Sequence, residues 1–296
     1  IAHLAEDVRP FVAVGQELGR LGLSAPEIRA TDLERGFLMV EDLGDRVYGA
    51  LVVAGEPMLP LWRAATDVLV ALRRHPLAER LPLPGGDVHH VPAYDAGALQ
   101  IEIELLTDWY VPAATGRPLD ERARADFLAH WQPLLALMAR SDRHWVLRDF
   151  HSPNLIDLPG REGLGRVGII DFQDAMRGHP AYDLVSLTQD ARLDVPAEIE
   201  AELMNHYCAG ARAADPAFDE AELRAAHAIL GAQRSTKIIG IFARLARRDG
   251  KRGYLRHIPR LWTYLERNLA HPQLAALAAW YDSALPQELR MRPLAP

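Results

Sequence analysis

Residues 145–172 read WVLRDFHSPNLIDLPGREGLGRVGIIDF. The stretch opens on a short polar loop carrying Arg148, Asp149, His151 and Asn154. It runs through the apolar pair Leu155-Ile156, turns at Pro159-Gly160, and returns through Val167 to Ile170 into Asp171. Two short apolar runs around a Gly/Pro turn predict a β-hairpin. Such a hairpin brings Asn154 and Asp171 together at one end of adjacent antiparallel strands. A carboxylate to receive a hydroxyl proton, with an Asn and an Asp to hold magnesium against nucleotide phosphates, is the set that phosphoryl transfer requires. The spacing matches the pattern H-R-D-x-x-x-x-N followed by D-F-G, with Leu147 in place of the His and Gln173 in place of the last Gly. The plain alternative is a hairpin in which Asn154 and Asp171 only satisfy turn backbones.

Around this stretch the remaining polar residues carry two readings each. His151, between the presumptive base and metal ligand, either orients Asp149 or touches substrate, or is a core histidine bonded to the loop backbone. Asp183, in PAYDLVSL, either caps a helix or supports the loop from beneath. Asp190 and Arg192, in TQDAR, read as a structural ion pair. Glu41, Asp42 and Leu43 close a strand and lead into the rest of the chain. Glu102, Asp108, Trp109 and Tyr110 lie in LQIEIELLTDWYV. There, rings beside carboxylates suit a sugar, whose C–H face stacks on aromatics; a packed core helix is the alternative. The run Arg244, Arg247, Arg248 and Lys251 is explained by a helix C-terminus.

Composition narrows the class. The 296 residues are 49% hydrophobic and 25% charged, which supports a sizeable core in one large or two modest domains. A net charge of −7 leaves no chain-wide basic field for nucleic acid. The single cysteine, Cys208, excludes an intramolecular disulfide and fits a cytoplasmic location. No window holds eighteen consecutive apolar residues, so no membrane partner is expected.

Apolar spacing predicts helices over 5–22, 57–75, 93–110 and 119–140 before the hairpin. After it, helices are expected near 181–190, 196–212, 219–248, 258–269 and 272–283. Short strands are expected at Ile28 to Thr31 and Gly36 to Val40, joined by a polar turn. The pattern is α+β rather than a parallel βαβ array.

The RDxHxxN loop with the downstream IIDFQDA resembles the aminoglycoside/choline kinase group of phosphotransferases. Longer stretches resemble the bacterial anomeric N-acetylmuramate/N-acetylglucosamine kinases: GFLMVEDLGDRVY, EIELLTDWY, VLRDFHSPNLI, IIDFQDAMRGHPAYDLVSLTQDAR and QRSTKIIGIFARLARRDGK. The resemblance spans roughly Arg9 to Trp280. It implies a protein-kinase-like fold, with a partial N-lobe and hinge over 1–44 and a mainly helical C-lobe over 45–296 that holds the 145–172 hairpin. It also implies ATP and Mg2+ as cofactors and transfer of phosphate to the C1 hydroxyl of an amino sugar, for cell-wall recycling. Asp149 would be the base, Asn154 and Asp171 the metal ligands, and the backbone of Glu41, Asp42 and Leu43 the adenine contact. Glu102, Asp108, Trp109 and His151 would meet the sugar, with Asp183 as structural support. Another small-molecule kinase, acting on choline, an aminoglycoside or another sugar, and a kinase-shaped binder without turnover are the alternatives.

The chain departs from that family in one respect. The family's small lobe carries a glycine-bearing phosphate loop and a strand lysine before its first helix. Here no glycine precedes Gly15 and no lysine precedes Lys237. The expectation is slow turnover by this chain alone. Glu6 and Glu17 are the helix acids that such a lysine would pair with.

Overall fold

Helix boundaries follow local chemistry. Asp95, Asp120 and Asp219 each accept a hydrogen bond from the backbone N–H three residues on, at 2.8, 2.8 and 3.0 Å, and so cap the helices they precede. The computed structural model describes residues 7–141 and 143–294, and the chain divides into two units, residues 1–93 with 141–218 and residues 94–140 with 219–296.

The first unit begins with α1 (Arg9–Arg20), which buries Val12, Val14 and Leu18 and ends where Gly22 takes a φ of 77°. A ribbon follows, β1 (Ile28–Asp32) against β2 (Phe37–Val40). Then come α2 (Tyr48–Val53) and α3 (Met58–Arg73). The Pro/Gly stretch at 82–86 has a defined structure. It is the turn of a small hairpin, β3 (Arg80–Pro82) with β4 (Val88–His90). Past residue 141 the chain adds β5 (His144–Val146), β6 (Leu155–Asp157), β7 (Val167–Ile169) and β8 (Met176–Gly178). The hairpin expected from the sequence is β6–β7, in the register Leu155 to Ile169. A second pairing, β5 with β8, closes around it. Among the described residues every sheet has two antiparallel strands, as an α+β chain without βαβ units should.

Two further helices complete this unit, α7 (Ala181–Thr188) and α8 (Ala197–Ala214). Every residue of α7 is buried. Trp62, fully buried on α3, donates its indole N–H to the Leu187 carbonyl at 2.9 Å and ties α3 to α7. Gly210 lets α8 approach α3 closely, since a Cβ there would lie 2.9 Å from Val70.

The second unit is helical: α4 (Ala96–Leu105), α5 (Val111–Thr115), α6 (Glu121–Met138), α9 (Glu220–Arg248), α10 (Ile258–Leu269), α11 (Ala275–Ala284) and α12 (Gln287–Met291). The helix expected over 93–110 changes character at its end, where Leu106–Tyr110 forms a π turn. Gly240 explains how α9 fits beside it. A Cβ at that position would fall 2.3 Å from the Leu105 carbonyl carbon, so only glycine is accommodated. Phe127, Trp131, Trp262, Trp280 and Tyr281 form an aromatic core.

Candidate active site

The β6–β7 register sets the geometry. Ile170 donates its N–H to the Asn154 carbonyl at 3.1 Å, which aligns the ends of the two strands. Asn154 Nδ2 then reaches Asp171 Oδ2 at 3.1 Å and the Asp149 carbonyl at 3.0 Å. Asn154 thus bridges the Asp171 carboxylate and the Asp149 main chain. Gln173 stands where the pattern has glycine, and it donates from Nε2 to Asp171 Oδ1 at 2.8 Å. That contact was not anticipated; the sequence shows only a departure from glycine.

Among the described residues, Arg148 and Asp171 are the two non-glycines with positive φ, at 68° and 60°. One precedes the candidate base and the other is a candidate metal ligand. An L-residue in this region costs on the order of 1–2 kcal/mol, and such strain gathers where surrounding structure enforces a functional geometry.

The enforcing structure is α7. Asp183, buried, accepts the Leu147 N–H at Oδ2 (2.6 Å) and the Arg148 N–H at Oδ1 (3.0 Å). Ser186 adds a hydroxyl bond to the Arg148 carbonyl at 3.3 Å. Both of its oxygens are thus given to the loop backbone. The residue preceding α7 is Pro180, and Asp183 lies in the helix's first turn.

Asp190 corrects an expectation. It makes no ion pair with Arg192; it accepts that residue's backbone N–H at 2.7 Å and the Leu193 N–H at 3.3 Å, both at Oδ1. Its Oδ2 takes the backbone N–H and the hydroxyl of Ser152, at 2.9 and 2.6 Å. Burial alone would push this carboxyl up. Nearby His151 and the bonds from Ser152 and Arg192 outweigh that and hold it below the usual carboxylate range. His151 is itself buried at 5% exposure, with Nε2 3.6 Å from Asp149 Oδ1 and no hydrogen-bond partner at Nδ1. It therefore faces the candidate base. Asp149 keeps about half of its side chain exposed, at 48%.

The candidate hinge is tied to the same hairpin. Glu41 donates its N–H to the Glu27 carbonyl at 2.8 Å, and its side chain pairs with Arg161. Arg161 also reaches Ser24 Oγ at 2.7 Å, and Ser24 Oγ donates to the Gly165 carbonyl at 2.6 Å. Asp42 folds back to accept the Gly44 N–H at 2.8 Å, and Leu43 packs over Gly168. Glu17 pairs with Arg20 at 2.6 Å; Glu6 lies outside the described residues.

In the second unit, Glu102 is buried. It accepts from the Tyr94 hydroxyl, from Gln233 Nε2 at 3.0 Å and from Lys237 Nζ at 2.7 Å. Asp108, 45% exposed, pairs with Arg124 at 2.5 Å, and Arg124 also holds Glu104 at 2.6 Å. Asp108 and Trp109 lie on the π turn. Such turns recur at functional sites.

Asp171 offers carboxylate oxygens, and Asn154, which faces it through Nδ2, carries an amide oxygen that a turn of the side-chain amide would present to a cation. That suits a magnesium ion, which takes one or two protein oxygens, water and phosphate rather than a full protein cage. Among the described residues, no group of three or more His, Cys, Asp or Glu is placed to hold a metal ion.

Comparison with known proteins places the chain in a family. Residues 1–226 match the phosphotransferase enzyme family designated APH. The N-acetylmuramate/N-acetylglucosamine kinase of Caulobacter vibrioides is 41% identical over 291 residues, covering 98% of this chain and 78% of that protein. The same-named protein of Pseudomonas aeruginosa is 36% identical, covering 95% and 79%. Among solved structures, an aminoglycoside phosphotransferase APH(2")-IIIa complex with GDP and kanamycin superposes with a TM-score of 0.56 at 16% identity, covering 89% of this chain and 82% of that one. A Plasmodium vivax ethanolamine kinase gives 0.58 at 11% identity, covering 91% and 75%. These two likenesses concern the fold, which is the protein-kinase-like one expected from the sequence.

Proposed function

Since the chain belongs to the phosphotransferase enzyme family, we propose that it phosphorylates the anomeric hydroxyl of an N-acetylated amino sugar, N-acetylmuramate or N-acetylglucosamine, using ATP. The observation that carries the chemistry is that Asn154, at one end of the β6–β7 hairpin, bonds both the Asp171 carboxylate and the Asp149 main chain. The acceptor class comes from relatives up to 41% identical over nearly the whole chain.

Asp149 takes the proton of the attacking hydroxyl. An anomeric hydroxyl is more acidic than an ordinary alcohol, so a carboxylate suffices as base. Asn154, through its amide oxygen, and Asp171 would hold magnesium, which neutralises charge on the transferring phosphoryl group. The protein's part is positioning: α7 fixes the loop, and the hairpin register fixes Asn154 against Asp171. For the adenine ring the candidate contacts are the Glu41 carbonyl and the Leu43 N–H, since the Glu41 N–H is already given to Glu27. For the sugar we propose His151 beside the base in the first unit; in the second unit the candidates, each taken by itself from the resemblance, are Asp108, Trp109 and Glu102.

The test is an end-point incubation with ATP, Mg2+ and N-acetylglucosamine, with phosphate located by 31P and 13C NMR. The expected product is the sugar 1-phosphate, and Asp149→Asn should lower its formation by about 10²–10⁴-fold. Phosphate on any other hydroxyl, or an unaffected Asp149→Asn variant, would overturn the proposal.

A further inference from the structure

Ser152, buried, stands between Asp149 and Asn154 at the start of a 3-10 turn. Both of its donors, the backbone N–H and the hydroxyl, are spent on one oxygen of Asp190. Asp190 is 0% exposed and lies two residues beyond the end of α7, the helix whose first turn carries Asp183. The two aspartates grip the catalytic segment on either side of Asp149: Asp183 holds the N–H groups of 147 and 148, and Asp190 holds residue 152. The bond from Asn154 to the Asp149 carbonyl closes the loop between them.

A merely local role would leave this arrangement unexplained. The bonds from Arg192 and Leu193 make an Asx-type turn, which needs only Oδ1 and which asparagine would serve equally well. A carboxylate with no solvent access is costly unless both oxygens are used. Its second oxygen is used on a residue 38 positions earlier, inside the catalytic segment. His151, next to Ser152, is held between these carboxylates, with Nε2 toward Asp149 and an electrostatic influence on Asp190. Space for the clamp is kept by Gly49, where a Cβ would come within 3.0 Å of Ser152 Oγ.

We infer that Asp190 is a positioning residue for phosphoryl transfer, fixing the 149–154 segment through Ser152 so that Asp149 and Asn154 hold their places relative to Asp171. The inference rests on Asp149 being the base.

It is tested with Asp190→Asn, Ser152→Ala and the double variant, beside Asp149→Asn, through initial rates of sugar 1-phosphate formation at varied ATP and sugar. Displacing a reacting group by about 1 Å costs on the order of 10²-fold. Asp190→Asn should therefore lower kcat about ten- to a hundredfold, with KM for ATP and sugar within about twofold. Ser152→Ala should have a smaller effect that is not additive with it, as for residues in direct contact. Amide hydrogen exchange supplies a readout independent of turnover: in Asp190→Asn the Ser152 amide should lose protection while α7 amides keep theirs. A folded Asp190→Asn protein with unchanged kcat, or with Ser152 protection retained, overturns the inference. If Asp149→Asn abolishes transfer while Asp190→Asn leaves kcat unchanged, the positioning role fails and the base assignment stands. If Asp149→Asn is fully active, the base assignment fails, and with it the role given to Asp190.

Discussion

At the scale of single residues, the site is marked by backbone conformation as much as by side chains. Arg148 and Asp171 take positive φ where the tertiary structure demands it. Because a Cβ is penalised there and glycine is not, the two truncations of Arg148 should differ. Both Arg148→Gly and Arg148→Ala remove the side chain, so their difference isolates the backbone. Arg148→Ala is expected to be less stable than Arg148→Gly by about 1 kcal/mol, measured by urea denaturation. Equal stabilities would mean that the strain is absent. The sequence announced Asp149, Asn154 and Asp171 through their spacing. It did not announce that Arg148 would be strained, because φ at one position is set by the bonds that Asp183 makes from 35 and 36 residues away.

At the scale of elements, most helices were legible from apolar periodicity, and α10 matches the expected 258–269 span. What escaped were features that depend on a neighbour. The β5–β8 pair joins residues about thirty apart, and three-residue strands carry too little alternation to be seen. The π turn at Leu106–Tyr110 widens a helix whose local sequence reads as ordinary α. Its fit with α9 depends on Gly240. Gly240→Ala would force α9 away from the Leu105 backbone, and overpacking of this kind costs about 1–3 kcal/mol or more. A clear drop in Tm is expected, with far less effect from the control Gly253→Ala, where a Cβ meets nothing within 4 Å. A Gly240→Ala protein as stable as the parent would contradict this packing.

At the scale of the whole molecule, stability should depend on acid-side pH through two buried carboxylates. Burial pushes Asp157 up, but hydrogen bonds from Arg166 (2.9 Å) and Arg46 (2.9 and 3.1 Å) prevail and hold it below the usual range; Asp190 is likewise depressed. A depressed folded pKa contributes stability that is fully present above the unfolded value of about 4 and is lost as pH falls through the lower folded value. The contribution of these groups to Tm should therefore be flat from pH 8 to about 5 and decline below about 4. Asp157→Asn should lower Tm at neutral pH and shallow the acid limb; melts between pH 2.5 and 7 decide this, and an unchanged limb would refute it. The sequence by itself determined the α+β class, through periodicity within single helices and a short hairpin, and the family, through the resemblance of its longer stretches; the spacing of Asp149, Asn154 and Asp171 made them the candidates for phosphoryl transfer. Only the tertiary structure decided which buried carboxylates hold the loop in place. Asp183, Asp190 and Glu102 look alike in sequence, and their roles are fixed by partners brought near from far along the chain.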